Sequence, residues 1–103
     1  MIVITYNITN LLLTDTEDPV CSNVPDNIAS DTDTGKPTAA ITWTPPTTSD
    51  NSNDFTTTST YQPPHSFGIG TTAVVYTVTD AAGLSVTCQF DVEVTGKYNV
   101  ICL

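Results

Sequence analysis

Two β-sheets packed face to face, built from antiparallel strands, are what this sequence predicts, and three observations predict it. Residues 66–95 hold two runs of strict period-two alternation joined by a turn. In the first, Val74, Tyr76 and Val78 oppose Ala73, Val75, Thr77 and Thr79. In the second, Val86, Cys88, Phe90, Val92 and Val94 oppose Thr87, Gln89, Asp91, Glu93 and Thr95. A period of two sends alternate side chains to opposite faces of a strand, so an apolar row backed by a polar row means one buried face. The other two observations are short β-branched runs punctuated by turn residues, and the lack of any useful stretch of helical periodicity.

Taken in order, residues 1–13 are apolar but lack the basic flank and small-residue cleavage site of a signal peptide. They are also too short and too interrupted to cross a bilayer. An edge strand, the end of a preceding module, and sequence foreign to the domain all remain open readings. Asn7-Ile8-Thr9 is an N-glycosylation sequon, which makes Asn7 a candidate acceptor. Thr14 to Ser22, with Asp15, Glu17 and Asp18 ahead of Pro19, reads as a linker. Asn27 to Ser30 suits a short strand, and Asp31 to Gly35 a turn. Thr38 to Thr44 alternates, with Ala39, Ile41 and Trp43 on one side, so Trp43 is expected in the core. Pro45-Pro46 must end that strand, because proline brings no N–H to a ladder. Thr47 to Asn53 reads as a polar loop, Asp54 to Tyr61 as a threonine-rich strand, and Gln62 to Ser66 as a connection. Gly68 and Gly70 mark a bend. Asp80-Ala81-Ala82-Gly83 turns the final hairpin, with an Asx-type turn former and a glycine able to take positive φ. The strand count and spacing predict an immunoglobulin- or fibronectin-like antiparallel β-sandwich over residues 14–95, followed by a tail, 96–103.

The chain has 103 residues, enough for one small domain. A domain of this size buries only about two-thirds of its unfolded surface, so a covalent staple would help it. Eleven acidic residues face two lysines, Lys36 and Lys97, for a net charge of −9. That balance argues against nucleic acid and anionic membrane surfaces, which demand a basic patch. It suits a soluble surface in a salty, Ca²⁺-rich medium. Threonine dominates the polar residues; it favours strands and is an O-glycan acceptor. The three cysteines, Cys21, Cys88 and Cys102, fit either a disulfide with one thiol left over or free core thiols. Low charge and a threonine-rich surface favour the oxidising, extracellular alternative.

Certain residues also carry a family resemblance. Phe67, Ile69-Gly70-Thr71-Thr72, Val74, Tyr76-Thr77, Thr79-Asp80 and Gly83, then Cys88, Phe90, Val92 and Val94, resemble the second half of the hyalin repeat (HYR) domain. Asp18-Pro19-Val20-Cys21, Pro25-Asp26-Asn27-Ile28 and Ala40-Ile41-Thr42-Trp43-Thr44-Pro45-Pro46, followed by Asp50-Asn51, resemble its first half. The ordered set, over roughly residues 15–95, carries the resemblance rather than any single piece. It implies a Cys21–Cys88 disulfide, which would stabilise the domain by about 4 kcal/mol in the chain-entropy model. Trp43 is then expected beside that bridge, with Tyr76 and Phe90 in the same core. Cys102 remains as a stray or intermolecular thiol. The sequence departs from the family at Gly68, at Leu84 and over the tail from Lys97.

Candidates for chemistry are few. His65 is the one histidine, placed beside Pro64 with no metal-type neighbour, and reads as a surface residue. Ser66 adjoins it without the glycines of a nucleophile elbow. Asp50-Asn51-Ser52-Asn53-Asp54 starts like a calcium loop but has Phe55 at the sixth position and no glutamate at the twelfth. Weak Ca²⁺ ligands are therefore sought among Asp15, Glu17, Asp18, Asp50 and Asp54, with the Asp80 turn as an adjunct. Solvated acidic loops are the plainer reading of the same residues. No catalytic residue and no cofactor are expected. The resemblance implies an extracellular structural and adhesive module of a secreted or cell-surface multidomain protein, acting in cell–matrix or cell–cell adhesion. Its partner would be a protein or glycan of the matrix or cell surface. The alternative is a Ca²⁺- or carbohydrate-binding accessory module attached to a secreted enzyme.

Overall fold

The computed structural model describes residues 17–96. Its longest elements are β7 (Gly70–Asp80) and β8 (Ser85–Thr95), which pair antiparallel from Gly70 opposite Val94 to Thr79 opposite Ser85. Val74, Tyr76, Val78, Phe90, Val92 and Val94 are buried on one face of this hairpin. The strands extend a few residues past the alternating runs, up to the glycines and the turn.

Six shorter strands complete the fold: β1 (Val20–Ser22), β2 (Ile28–Asp31), β3 (Thr38–Ile41), β4 (Thr47–Ser49), β5 (Phe55–Ser59) and β6 (His65–Gly68). One layer is a four-stranded sheet in the order β2-β8-β7-β5. The other consists of the pairs β3–β6 and β1–β4. Ala39, Ile41, Trp43 and Phe67 from the second layer meet Val74, Tyr76, Phe90, Val92 and Val94 from the first in one core cluster. All-β strands in two facing layers make this the sandwich expected from the alternation.

Four local expectations change. Val20–Ser22, within the expected linker, and Thr47–Ser49, within the expected polar loop, form an antiparallel pair with Cys21 opposite Thr48. Neither segment has enough apolar residues to announce a strand, and each depends on the other for its hydrogen bonds. His65 and Ser66 belong to β6 rather than to a connection, paired opposite Ile41 and Ala40. β3 stops at Ile41 instead of Thr44, because its partner strand begins at His65 and Pro45-Pro46 supplies no donors beyond. The sandwich is also not wholly antiparallel: β2 runs parallel to β8, Ile28 opposite Val92 and Asp31 opposite Thr95. The chain crosses from one layer to the other between β1 and β2 without reversing, so it meets β8 travelling the same way.

The registers define two poles. At the N-terminal pole lie the start of β1, the end of β4, the start of β5 and the β7–β8 turn. At the other lie the β2–β3 turn, the β6–β7 bend and Thr95. Asn7, Asp15, Lys97 and Cys102 lie outside the described residues.

Val92 is fully buried at the centre of the hairpin's inner row, whereas Thr87 is exposed on its outer face. Val92→Ala should lower unfolding stability by about 2–3 kcal/mol through lost contacts and a residual cavity. Thr87→Ala should change it by less than about 0.5 kcal/mol. Urea unfolding of both variants checks the difference.

Candidate functional site

Cys21 in β1 and Cys88 in β8 are joined by a disulfide between the two layers, 67 residues apart in sequence and 6.4 Å between Cα atoms. Cys88 lies opposite Tyr76, and the Tyr76 hydroxyl accepts a 2.8 Å hydrogen bond from the Trp43 indole N–H. The Trp43 ring lies edge-on to Phe90 at 5.5 Å and tilted against Phe67 at 6.0 Å. Trp43 is buried although it stands just past the end of β3. Its single polar atom is satisfied, so the indole can occupy the core without an unpaired donor.

His65 is exposed, with its ring 4.6 Å from Tyr61 and 4.8 Å from Phe67. It caps an aromatic row that runs inward through Tyr61 to Phe67 in the core. Among the described residues, no three His, Cys, Asp or Glu side chains converge on one point. A groove of about 250 Å³ lies over β2, β7 and β8, lined by Asn27, Ile28, Ala29, Thr71, Asp91 and Glu93. Asn27 Oδ1 accepts the Asp91 N–H there at 2.9 Å, tying the rim to the sheet.

The acidic residues divide into two groups. Glu17, Asp18 and Asp54 are exposed, as a solvated loop would have them. Asp50 and Asp80 are not: they are 7% and 5% exposed. Each opens a turn of the same design. At Asp80, the Ala82 and Leu84 N–H groups donate to Oδ1 at 3.0 and 2.9 Å, and the Gly83 N–H donates to the backbone carbonyl at 3.1 Å. At Asp50, the Ser52 N–H donates to Oδ2 at 3.0 Å, joined by the Ser52 hydroxyl, and the Asn53 N–H donates to the backbone carbonyl at 3.1 Å. Gly83 and Asn53, the fourth residues, have φ of 93° and 60°. Serine, asparagine and alanine around an aspartate look like solvent-facing loop chemistry, which hid the burial of Asp50 from a reading of composition. The signal was present in the parallel between Ser49-Asp50-Asn51-Ser52-Asn53 and Thr79-Asp80-Ala81-Ala82-Gly83.

With this geometry in view, comparison with known proteins is decisive. The HYR domain family model matches residues 14–94. The chain belongs to the HYR domain family. It is 35% identical over 83 residues to the rat sushi, von Willebrand factor type A, EGF and pentraxin domain-containing protein 1, a match covering 78% of this chain and 2% of that protein. To hyalin of Strongylocentrotus purpuratus it is 35% identical over 94 residues, covering 85% of the chain and 8% of hyalin. To hyalin of Lytechinus variegatus it is 44% identical over 67 residues, covering 64% and 12%. The HYR chain thus spans a small fraction of the length of these curated relatives. No solved structure matches it significantly. Among the described residues, no helix is long and apolar enough to cross a membrane.

Two outcomes follow from this packing. Tyr76→Phe leaves the Trp43 indole N–H buried without an acceptor and should cost about 1–3 kcal/mol of stability. Trp43 emission should stay blue-shifted, because the ring keeps its apolar surroundings. Gly83→Ala meets no atom within 4 Å at the added methyl, so its cost is purely that of the positive φ. Denaturant unfolding should show a loss of roughly 1–2 kcal/mol, and a much smaller loss for Gly83→Asn.

Proposed function

We propose that this HYR domain is an extracellular structural and adhesive module, one unit of a longer multidomain protein, that takes part in cell–matrix or cell–cell adhesion. The observation that carries the reading is a disulfide-braced sandwich of HYR type whose first and last strands begin and end at opposite poles. Such a module transmits tension along its length and presents loops and sheet faces sideways. The disulfide favours an oxidising compartment. The chain's shortage of cations steers it toward neutral or basic partners.

Binding would use open surface of mixed polarity rather than a closed apolar pocket. The groove over β2, β7 and β8 offers carboxylate, amide and hydroxyl groups from Asp91, Glu93, Asn27 and Thr71, the mixture that a basic peptide segment or a glycan meets well. The reading is non-enzymatic.

Cell attachment to surfaces coated with the folded chain tests it. Attachment should exceed that on albumin and fall several-fold when the chain is reduced and alkylated, or when Asp91 and Glu93 are both changed to lysine. Attachment no better than albumin, on cells and on matrix coatings alike, would remove the adhesive role.

A further inference from the structure

We propose that the N-terminal pole of the sandwich is a site for a hard divalent cation of the Ca²⁺ class, anchored on Asp50 Oδ1 and Asp80 Oδ2. Each of these oxygens is buried and has no hydrogen-bond partner among the described residues. The sister oxygen of each carboxylate is held by its own turn. An unpartnered buried carboxylate oxygen is costly, and native proteins satisfy such atoms with few exceptions. A carboxylate fixed through one oxygen, with the other left bare, is pre-oriented as a metal ligand.

The two side chains belong to one end of the molecule. Asp80 continues the inward row Val74, Tyr76, Val78 of the four-stranded sheet. Asp50 follows β4 in the opposite layer, two residues beyond half-buried Thr48 and on the same side of the strand direction. The loops are tied together: the Ala81 N–H, next to Asp80, donates to the Asp54 carbonyl at 3.0 Å, and Phe55 pairs opposite Asp80. Val78, the neighbour of Asp80 in that inward row, is fully buried. A divalent cation held by the two carboxylates would satisfy both unmet oxygens.

The donor set selects the ion. The loops 50–54 and 80–84 offer carboxylate, hydroxyl, amide and carbonyl oxygens and contain neither histidine nor cysteine, which suits Ca²⁺ or Mg²⁺ rather than zinc or copper. Turns of loop backbone tolerate the irregular shell of Ca²⁺ better than the strict octahedron of Mg²⁺. Glu17, Asp18 and Asp54 add negative charge at the same pole, while Lys36, the one lysine among the described residues, sits in the β2–β3 turn at the other. Since no three His, Cys, Asp or Glu side chains converge among the described residues, backbone carbonyls and water would fill most of the shell. That places the affinity in the weak range, roughly 10⁻⁴–10⁻³ M, typical of extracellular modules. An ion bound here would brace the two turns against each other where the chain enters β1. The site stands on the two aspartates alone and does not require the adhesive role.

The test is thermal unfolding of the whole chain in 10 mM Ca²⁺ (about ten times the upper Kd), in Mg²⁺ at equal ionic strength, and in chelator, with calorimetric titration of Ca²⁺ alongside. Ca²⁺ should raise the midpoint by about 5–10 °C and Mg²⁺ by clearly less, and titration should show one ion per chain. Asp50→Asn and Asp80→Asn should each abolish the rise, whereas Asp91→Asn should keep it. In chelator, Asp50→Asn should melt no lower than the parent, because the amide removes a buried charge; that result, with blue-shifted Trp43 emission, shows the variant is folded. Equal rises with Ca²⁺ and Mg²⁺, no rise, or a Ca²⁺ rise that survives in Asp50→Asn would each overturn the site. Should Asp80→Asn fail to fold, Asp50→Asn and the titration decide.

Discussion

The alternation along β7 and β8 puts Val74, Tyr76, Phe90, Val92 and Val94 on a single face, and that face cannot remain in water. An isolated two-stranded hairpin is marginal at best, so the row demands a covering layer. The cover comes from strands too short and too polar to hold together alone: β3 and β6 contribute Ala39, Ile41 and Phe67, and Trp43 fills the space beyond β3. The Cys21–Cys88 bridge fastens β1, and through it the polar β1–β4 pair, directly to β8. Its long enclosed loop restricts the unfolded chain, which matters in a domain with so small a core.

The Trp43–Tyr76 hydrogen bond shows how this core accepts polar atoms. Each layer brings one aromatic side chain with one polar group, and the two satisfy each other at 2.8 Å. Asp50 and Asp80 present the contrasting case. Their turns are internally satisfied, yet one carboxylate oxygen on each is buried with no hydrogen-bond partner among the described residues. Local turn chemistry explains why aspartate starts each loop; it does not explain the burial of the second oxygen. That asymmetry makes the N-terminal pole the part of the HYR domain where structure asks for something beyond the chain's own hydrogen bonds.

Much of the fold was legible. Period-two alternation and the Asp80–Gly83 turn define the hairpin, and the double proline sets a limit that β3 stops short of, because each is a local property of backbone and side-chain sterics. The order of short motifs from Asp18-Pro19 to Val94 was enough to place the chain in its family. The polar strands were not legible. Thr47-Thr48-Ser49 carries no apolar signal, and it becomes a strand through hydrogen bonds to Val20-Cys21-Ser22, a segment distant in sequence. His65-Ser66 likewise joins β6 because Ala40 and Ile41 lie alongside.

By itself, then, the amino-acid sequence determined which side chains must turn inward along the hairpin, where turns must fall, and that a small acidic β-domain would result. Those follow from interactions within a few residues of one another. The tertiary structure alone decided which strands pair, that β2 runs parallel to β8, and that two aspartates in similar turns are buried at one pole. The physical reason is that burial belongs to the space between layers: Asp50 and Asp54 sit four residues apart in one loop, and only the packing of the opposite sheet separates the enclosed carboxylate from the solvated one.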